Sequence, residues 1–236
     1  MKEFINSYKN SPYYSRLFEF ENDIIVAYVG GSHSFQTNHD KSDFDINVIT
    51  KGGEFFSVYF DWHLKYKNRT VHWYYRPIAD FFKTTCYDIV DYIGLLTLLY
   101  IPQENIIYLN PKYEMQWKEF YEKRDLLLKC FCIELGLCCT SFIKFILDLE
   151  QLDNIYAQRV YFVCIAAFYH LGITPDFELL RRISKAKRKP VKLNQEDFQE
   201  VKNLLNKFLK SMKNFDLKDN RDKLRSLEND FKFILK

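Results

Sequence analysis

The sequence has few glycines, 7 in 236 residues, and none gathers into a Gly/Ser-rich linker. It has no low-complexity tract and no internal repeat, which excludes disordered and solenoid classes. It also lacks a long apolar run. The most apolar stretch, 126–149, is interrupted by Lys129, Glu134, Lys144 and Asp148, and its longest uncharged piece is the nine residues 135–143. A spanning helix needs roughly 20 apolar residues, so no membrane partner is expected. Residues 1–10 lack the apolar core of a secretory signal, and the expected location is the cytoplasm. No strong charge of one sign is present either; the net charge of +3 is only a weak lean towards phosphate-bearing partners.

What the chain does have is apolar and aromatic mass. Hydrophobic residues make up 47% and charged residues 28%, the balance of an ordinary globular protein. The high Phe and Tyr content, with many Lys and Asn, fits an AT-rich coding bias as well as any function. Six cysteines stand at 86, 130, 132, 138, 139 and 164. Four fall in one helical stretch, but Cys130 and Cys132 point to different sides of a helix, so the thiols do not converge on a tetrahedral ion. They read as reduced core residues.

Two kinds of periodicity divide the chain. Residues 23–29 are a short apolar run ending in Gly30-Gly31, which suits a buried strand entering a tight turn. Residues 44–50 alternate, with Asp45, Asn47 and Ile49 on one face. Residues 56–67 alternate more clearly, and 71–75 resume the pattern after Asn68-Arg69, which predicts a hairpin. From about Trp117 the period becomes helical. Helices are expected over 121–150, 154–170, 176–187 (capped at Thr174-Pro175), 194–213 and 219–235. The stretch 101–114 is the best boundary. The expected fold is therefore α+β: a small mixed or antiparallel sheet domain at 1–110, followed by an all-helical domain at 111–236.

One constellation carries chemistry. A strand ends in Gly30-Gly31, Ser32 follows, and ten residues later Asp43-Phe44-Asp45 opens the next strand. Glycine lets the backbone turn sharply and approach a ligand closely, so successive N–H groups and the Ser32 hydroxyl can hold phosphate oxygens. Asp43 and Asp45, two apart on a strand, share a face. Two adjacent carboxylates repel unless a divalent cation lies between them, and Mg²⁺ favours such ligands beside substrate phosphates. That chemistry suits two-metal phosphoryl or nucleotidyl transfer.

The Gly-Ser, ten-residue gap, Asp-x-Asp pattern is similar to the signature of the DNA polymerase β-like nucleotidyltransferase superfamily. The fuller string, Gly31 to Phe35, Thr37-Asn38 and Ser42 to Asp45, resembles most its RNA-ligase-associated branch. The resemblance implies a small-sheet nucleotidyltransferase domain at 1–110 that moves a nucleoside monophosphate from an NTP to a hydroxyl and releases pyrophosphate. By this resemblance Asp43 and Asp45 would ligate Mg²⁺ or Mn²⁺. Gly30, Gly31, Ser32 and Ser42 would contact the nucleotide, with Arg159 on the 154–170 helix as a further candidate. It also implies a third carboxylate on a neighbouring strand, where this chain has His72. Imidazole is a poor Mg²⁺ ligand but acceptable to Mn²⁺, and it can act as a general base near neutral pH.

A two-residue turn at Asn68-Arg69 offers another acid. It would set Lys65 opposite His72 and Asp61 opposite Arg76, placing Asp61, His63, His72, Tyr74 and Arg76 on one polar face. Asp61 is then either catalytic or a cross-strand partner of Arg76. His33 and His39 either touch phosphate or fill the loop, and Gln36 stands where such loops often carry Gly. In the helical half, Arg181, Arg182, Lys185, Lys187, Arg188, Lys189 and Lys192 form a run without an acid. It serves RNA or polyphosphate contact, or is a solvated helix end. Three readings remain open: an active enzyme with RNA as favoured acceptor; a catalytically degenerate nucleotide-binding or antitoxin-like partner of a protein such as an RNA ligase or toxin; and a purely RNA-binding protein.

Overall fold

Residues apolar on both faces need cover on both sides, and β1 (Ile24–Val29) is buried at every position. A computed structural model gives the fold; it describes residues 2–38, 42–54, 56–62, 69–82, 101, 103–186 and 193–230. Four more strands, β2 (Phe44–Thr50), β3 (Phe56–Trp62), β4 (Arg69–Pro77) and β5 (Ile106–Leu109), join β1 in one sheet of order β3-β4-β2-β1-β5. All neighbours run antiparallel except β2 and β4, which are parallel. The sheet is mixed because β4 returns between β3 and β2. With nine α-helices among the described residues, and only helices after β5, the fold is α+β.

The hairpin expected at 56–75 forms, but its register differs. The last pair is Trp62 with Arg69, so Asp61 pairs with Thr70 and Tyr59 with His72. A two-residue turn needs positive φ at its centre, which Asn-Arg supplies far less readily than Asn-Gly. Among the described residues the ladder is followed as far as Trp62 and Arg69, and residues 63–68 lie outside them. Asp61 does not face Arg76, and Lys65 and His63 lie outside the described residues.

Chain contacts divide the protein into two compact units, one of residues 1–83, 97–124 and 228–236, the other of 84–96 and 125–227. In the first, α1 (Lys2–Lys9) and α2 (Pro12–Arg16) cover one sheet face, with Phe4, Ile5, Tyr8 and Leu17 packed on Val29, Ile46, Val48, Val71, Trp73 and Tyr75. Each such side chain contributes about 1.5–3 kcal/mol by leaving water. The polar atoms buried with them are paired. Trp73 Nε1 donates to the Tyr8 hydroxyl at 3.0 Å, and the Tyr75 hydroxyl donates to the Leu17 carbonyl at 2.8 Å. Burial raises the pKa of both phenols. Phe44 lies between two nearly parallel rings, Phe4 at 3.6 Å and His33 at 4.3 Å between centroids.

The later elements are α4 (Glu114–Cys138), α5 (Thr140–Asp148), α6 (Asn154–His170), α7 (Phe177–Ala186), α8 (Gln195–Ser211) and α9 (Leu217–Asp230). The single helix expected over 121–150 is two, broken at Cys139. Residues 160–168 of α6 are all buried, which makes it the core of the second unit. Gly136 on α4 allows a close approach: a side chain there would meet Met212 Sδ at 2.5 Å and Phe208 at 2.8 Å. Asn194 caps α8 through the Asp197 N–H at 2.7 Å, as its position predicts. The cap of α7 is Asp176, not Thr174, because Asp176 Oδ1 accepts from the N–H groups of both Glu178 and Leu179.

Of the cysteines, 130, 132, 139 and 164 are buried and 138 is exposed, while Cys86 lies outside the described residues. Burial pushes the Cys164 thiol up to about 12, so it is inert as a nucleophile near neutral pH. No single helix among the described residues is long and apolar enough to cross a membrane.

Candidate functional site

The polar stripe of the sheet starts where β1 ends. Gly30 still belongs to the ladder, its N–H donating to the Asp45 carbonyl at 2.8 Å. Gly31 then turns the chain at φ +59°, a conformation that costs a residue with a side chain roughly 1–2 kcal/mol. It opens the single-turn helix α3 (Gly31–Ser34). The loop closes on itself: Ser34 Oγ donates to the Val29 carbonyl at 2.9 Å, and the Thr37 N–H donates to the Ser32 carbonyl at 2.9 Å. Gln36, where the pattern favours glycine, adopts φ +54°.

Both glycines are needed for a second reason. A side chain on Gly31 would meet Asp45 Oδ2 at 1.9 Å, and one on Gly30 would meet Asn47 Nδ2 at 2.1 Å. The backbone of the turn therefore lies directly against the carboxylate of β2. Ser32 is half-buried beside it, Ser42 is buried, and Asp43 is exposed one residue before β2 begins.

Parallel pairing brings His72 to Asp45. The two are register partners, with Asp45 Oδ1 at 4.0 Å from His72 Nδ1. That distance is too long for a hydrogen bond. Nor is it an ion pair at neutral pH, because burial lowers the imidazole pKa to about 4 and keeps it uncharged. His72 is 6% exposed at its side chain and Asp45 27%, so the carboxylate is the member open to solvent. Beside this pair, Asn47 partners Tyr74, whose ring lies 3.7 Å from that of His72. A base with so low a pKa takes up a proton poorly at neutral pH, which weighs against the general-base role open to His72 from sequence.

Asn47 is the residue that sequence reasoning missed as part of the site. It is buried, its Nδ2 has no hydrogen-bond partner among the described residues, and it lies against Gly30. Its alternation with Asp45 was the available signal.

Other candidates fall elsewhere. Asp61 is in β3 opposite Thr70, and its side chain lies outside the described residues. His39, Lys187, Arg188, Lys189 and Lys192 also lie outside them. Arg159 is exposed on α6 in the second unit. Arg181 pairs with Glu178, and Arg182 pairs with Glu178 at 3.8 Å and Asp197 at 2.9 Å. Two charges of the basic run are thus partly neutralised by acids outside it, and Arg182 ties α7 to α8. Lys185 is exposed.

No protein-family model and no curated protein matches the chain. Among solved structures, the crystal structure of a nucleotidyltransferase-like protein from Exiguobacterium sibiricum is similar at 10% identity and a TM-score of 0.34. The match covers 87% of this chain and 74% of that one. A likeness of that degree carries no functional argument, which rests instead on the geometry of residues 30–38, 42–47 and 72.

As a cation site, the stripe offers an exposed Asp43, a solvent-open Asp45 and the nitrogen of His72. Among the described residues no group of three His, Cys, Asp or Glu side chains is close enough to hold a metal ion alone. The donor set still fits a divalent cation of the kind that binds one or two carboxylates and takes its remaining ligands from water and substrate phosphates.

Proposed function

We propose that this chain is a metal-dependent nucleotidyltransferase that moves NMP from an NTP to an acceptor hydroxyl, with RNA as the favoured acceptor. The observation that carries it is the seating of the Asp45 carboxylate against the Gly31 turn, the arrangement that a triphosphate held by the turn and a cation held by the carboxylate would need.

In this reading the Gly31-Ser32 backbone and the Ser32 hydroxyl hold the triphosphate, and Asp43 and Asp45 hold Mg²⁺ or Mn²⁺. The ion supplies charge neutralisation at the phosphates and at the attacking and leaving oxygens. The acceptor oxygen attacks the α-phosphorus, the bond to the β-phosphate oxygen breaks, pyrophosphate leaves, and the hydroxyl proton passes to solvent. Lys185 and the basic residues after it would bind the acceptor backbone.

Incubation with labelled NTPs, Mg²⁺ or Mn²⁺ and candidate RNA, protein or small-molecule acceptors tests the reading. Incorporation by the wild type that is lost in Asp43→Ala/Asp45→Ala supports it, and equal incorporation by both sinks it. A second reading is favoured by the lack of a three-membered acid cluster among the described residues: a nucleotide-binding regulatory or antitoxin-like subunit, partnering an RNA ligase or a toxin. It predicts NTP binding by calorimetry without turnover.

A further inference from the structure

The second unit holds a cavity of its own, of about 320 Å³, lined by residues of α4 and α9. Leu126, Ile133 and Leu227 give it apolar walls. Burial raises the pKa of Cys130, with the charge of Lys223 opposing the shift, so this residue adds a neutral thiol to the same walls. Two features break the apolar lining. Lys129 and Lys223 are exposed there, neither has an ion-pair partner among the described residues, and no carboxylate among those residues lines the cavity. Asn220, also in the lining, is 3% exposed and only half satisfied. Its Nδ2 donates to the Cys130 carbonyl at 2.8 Å, whereas its Oδ1 has no hydrogen-bond partner among the described residues. A carbonyl can only accept, so the nitrogen must be the atom that faces it, and the free atom is an acceptor. A buried acceptor without a partner costs folding free energy, which a donor from a ligand recovers.

We propose that this cavity binds a small amphipathic anion, an apolar-bodied carboxylate that carries an N–H or O–H donor. The donor pairs with Asn220 Oδ1, the apolar body packs on Leu126, Ile133 and Leu227, and the carboxylate lies by the ammonium groups of Lys129 and Lys223. Each demand excludes a class of ligand. A neutral hydrocarbon leaves the lysines unanswered, and an inorganic anion leaves the apolar walls in water. The volume is at the small end of ligand cavities, about 300–1,000 Å³, which suits one bicyclic ring with a short acid chain. The proposal does not depend on Asp45 being a metal ligand.

Indole-3-propionate carries all three parts and is the probe. Titration calorimetry of the full chain at low salt, where screening is least, is expected to show one site. 1-Methylindole-3-propionate lacks the donor and indole-3-propionamide lacks the charge; each is expected to bind about fivefold more weakly. Lys129→Gln/Lys223→Gln, at two exposed positions, is expected to weaken the acid by a similar factor and leave the amide unchanged. Asn220→Leu is expected to erase the preference for the unmethylated acid, with its fold checked by thermal melting. No binding of the acid overturns the proposal. So does equal binding of the acid and its methylated form by the wild type, or an affinity indifferent to the two lysines. The wild-type series of ligands decides the question even where Asn220→Leu fails to fold.

Discussion

The Asp45 carboxylate fills the space that a side chain on residue 31 would occupy, with Oδ2 at 1.9 Å from where a β-carbon would stand. Glycine at 31 is therefore required twice, once by its positive φ and once by its neighbour. Gly172 separates the two demands, since it has φ +63° with nothing within 4 Å of an added side chain. Gly172→Ala is expected to cost only the backbone strain, about 1 kcal/mol. Gly31→Ala is expected to cost at least about 1 kcal/mol more, because the added β-carbon displaces the Asp45 carboxylate. Urea denaturation of both variants measures the difference; equal losses contradict the contact.

Gln36 holds an exposed left-handed position that glycine occupies without penalty. Gln36→Gly is expected to stabilise the protein by at most about 1 kcal/mol, the relief of left-handed strain being offset in part by the entropy that glycine adds to the unfolded chain. The readout is the urea midpoint. A lower midpoint means that the Gln36 side chain contributes more than its backbone costs.

Acid should weaken the metal-free protein through His72. Unfolded, its imidazole titrates near 6.5, and in the fold burial holds it near 4. Between those values the unfolded chain binds the extra proton. The stabilisation is thus complete above about pH 6.5 and is lost as pH falls towards 4. The full span is worth at most about 3 kcal/mol, and the nearby Asp45 carboxylate reduces it by favouring the protonated ring. Urea midpoints from pH 7.5 down to 4.5 in EDTA should fall more steeply for the wild type than for His72→Gln. Parallel profiles would remove His72 from the account.

Glu134 is the more deeply buried of two buried carboxylates among the described residues of the helical unit, the other being Asp197. Glu134 is 2% exposed at its side chain, its Oε1 accepts from Arg221 Nε at 2.9 Å, and its Oε2 has no hydrogen-bond partner among the described residues. Arg221→Ala strands that charge. The expected loss is about 2 kcal/mol, below the usual range for breaking a buried pair because Arg221 is itself partly in solvent. Glu134→Leu added to Arg221→Ala should recover most of it, and a double variant as weak as the single one contradicts the pairing.

Local patterns were legible in the sequence, and pairings between distant segments were not. β2 begins and ends where its alternation does, at 44 and 50, and Asn194 caps the helix it precedes. The hairpin register differs from the expected one, with Asp61 opposite Thr70 instead of Arg76, because a turn without glycine carries little signal of its position. The basic run looked free of acids in its own window. Its neutralising partners are Glu178, one helical turn back, and Asp197, on the next helix. At the site, spacing pointed to Gly31, Ser32, Asp43 and Asp45. It could not reveal that Asn47 packs on Gly30, nor that a parallel strand would bring His72 to Asp45, since parallel partners leave no local trace.

The stack of Phe4, Phe44 and His33 has a practical consequence. Phe44 sits between Asp43 and Asp45, and His33 follows the glycine turn, so the ring of Phe4 braces both halves of the site from the far side of the sheet. Helix α1 is in that sense a splint for the loop. Residues 2–9 also carry the buried side chains of Phe4, Ile5 and Tyr8, so a tag or trim that disturbs them loosens the brace and the core together.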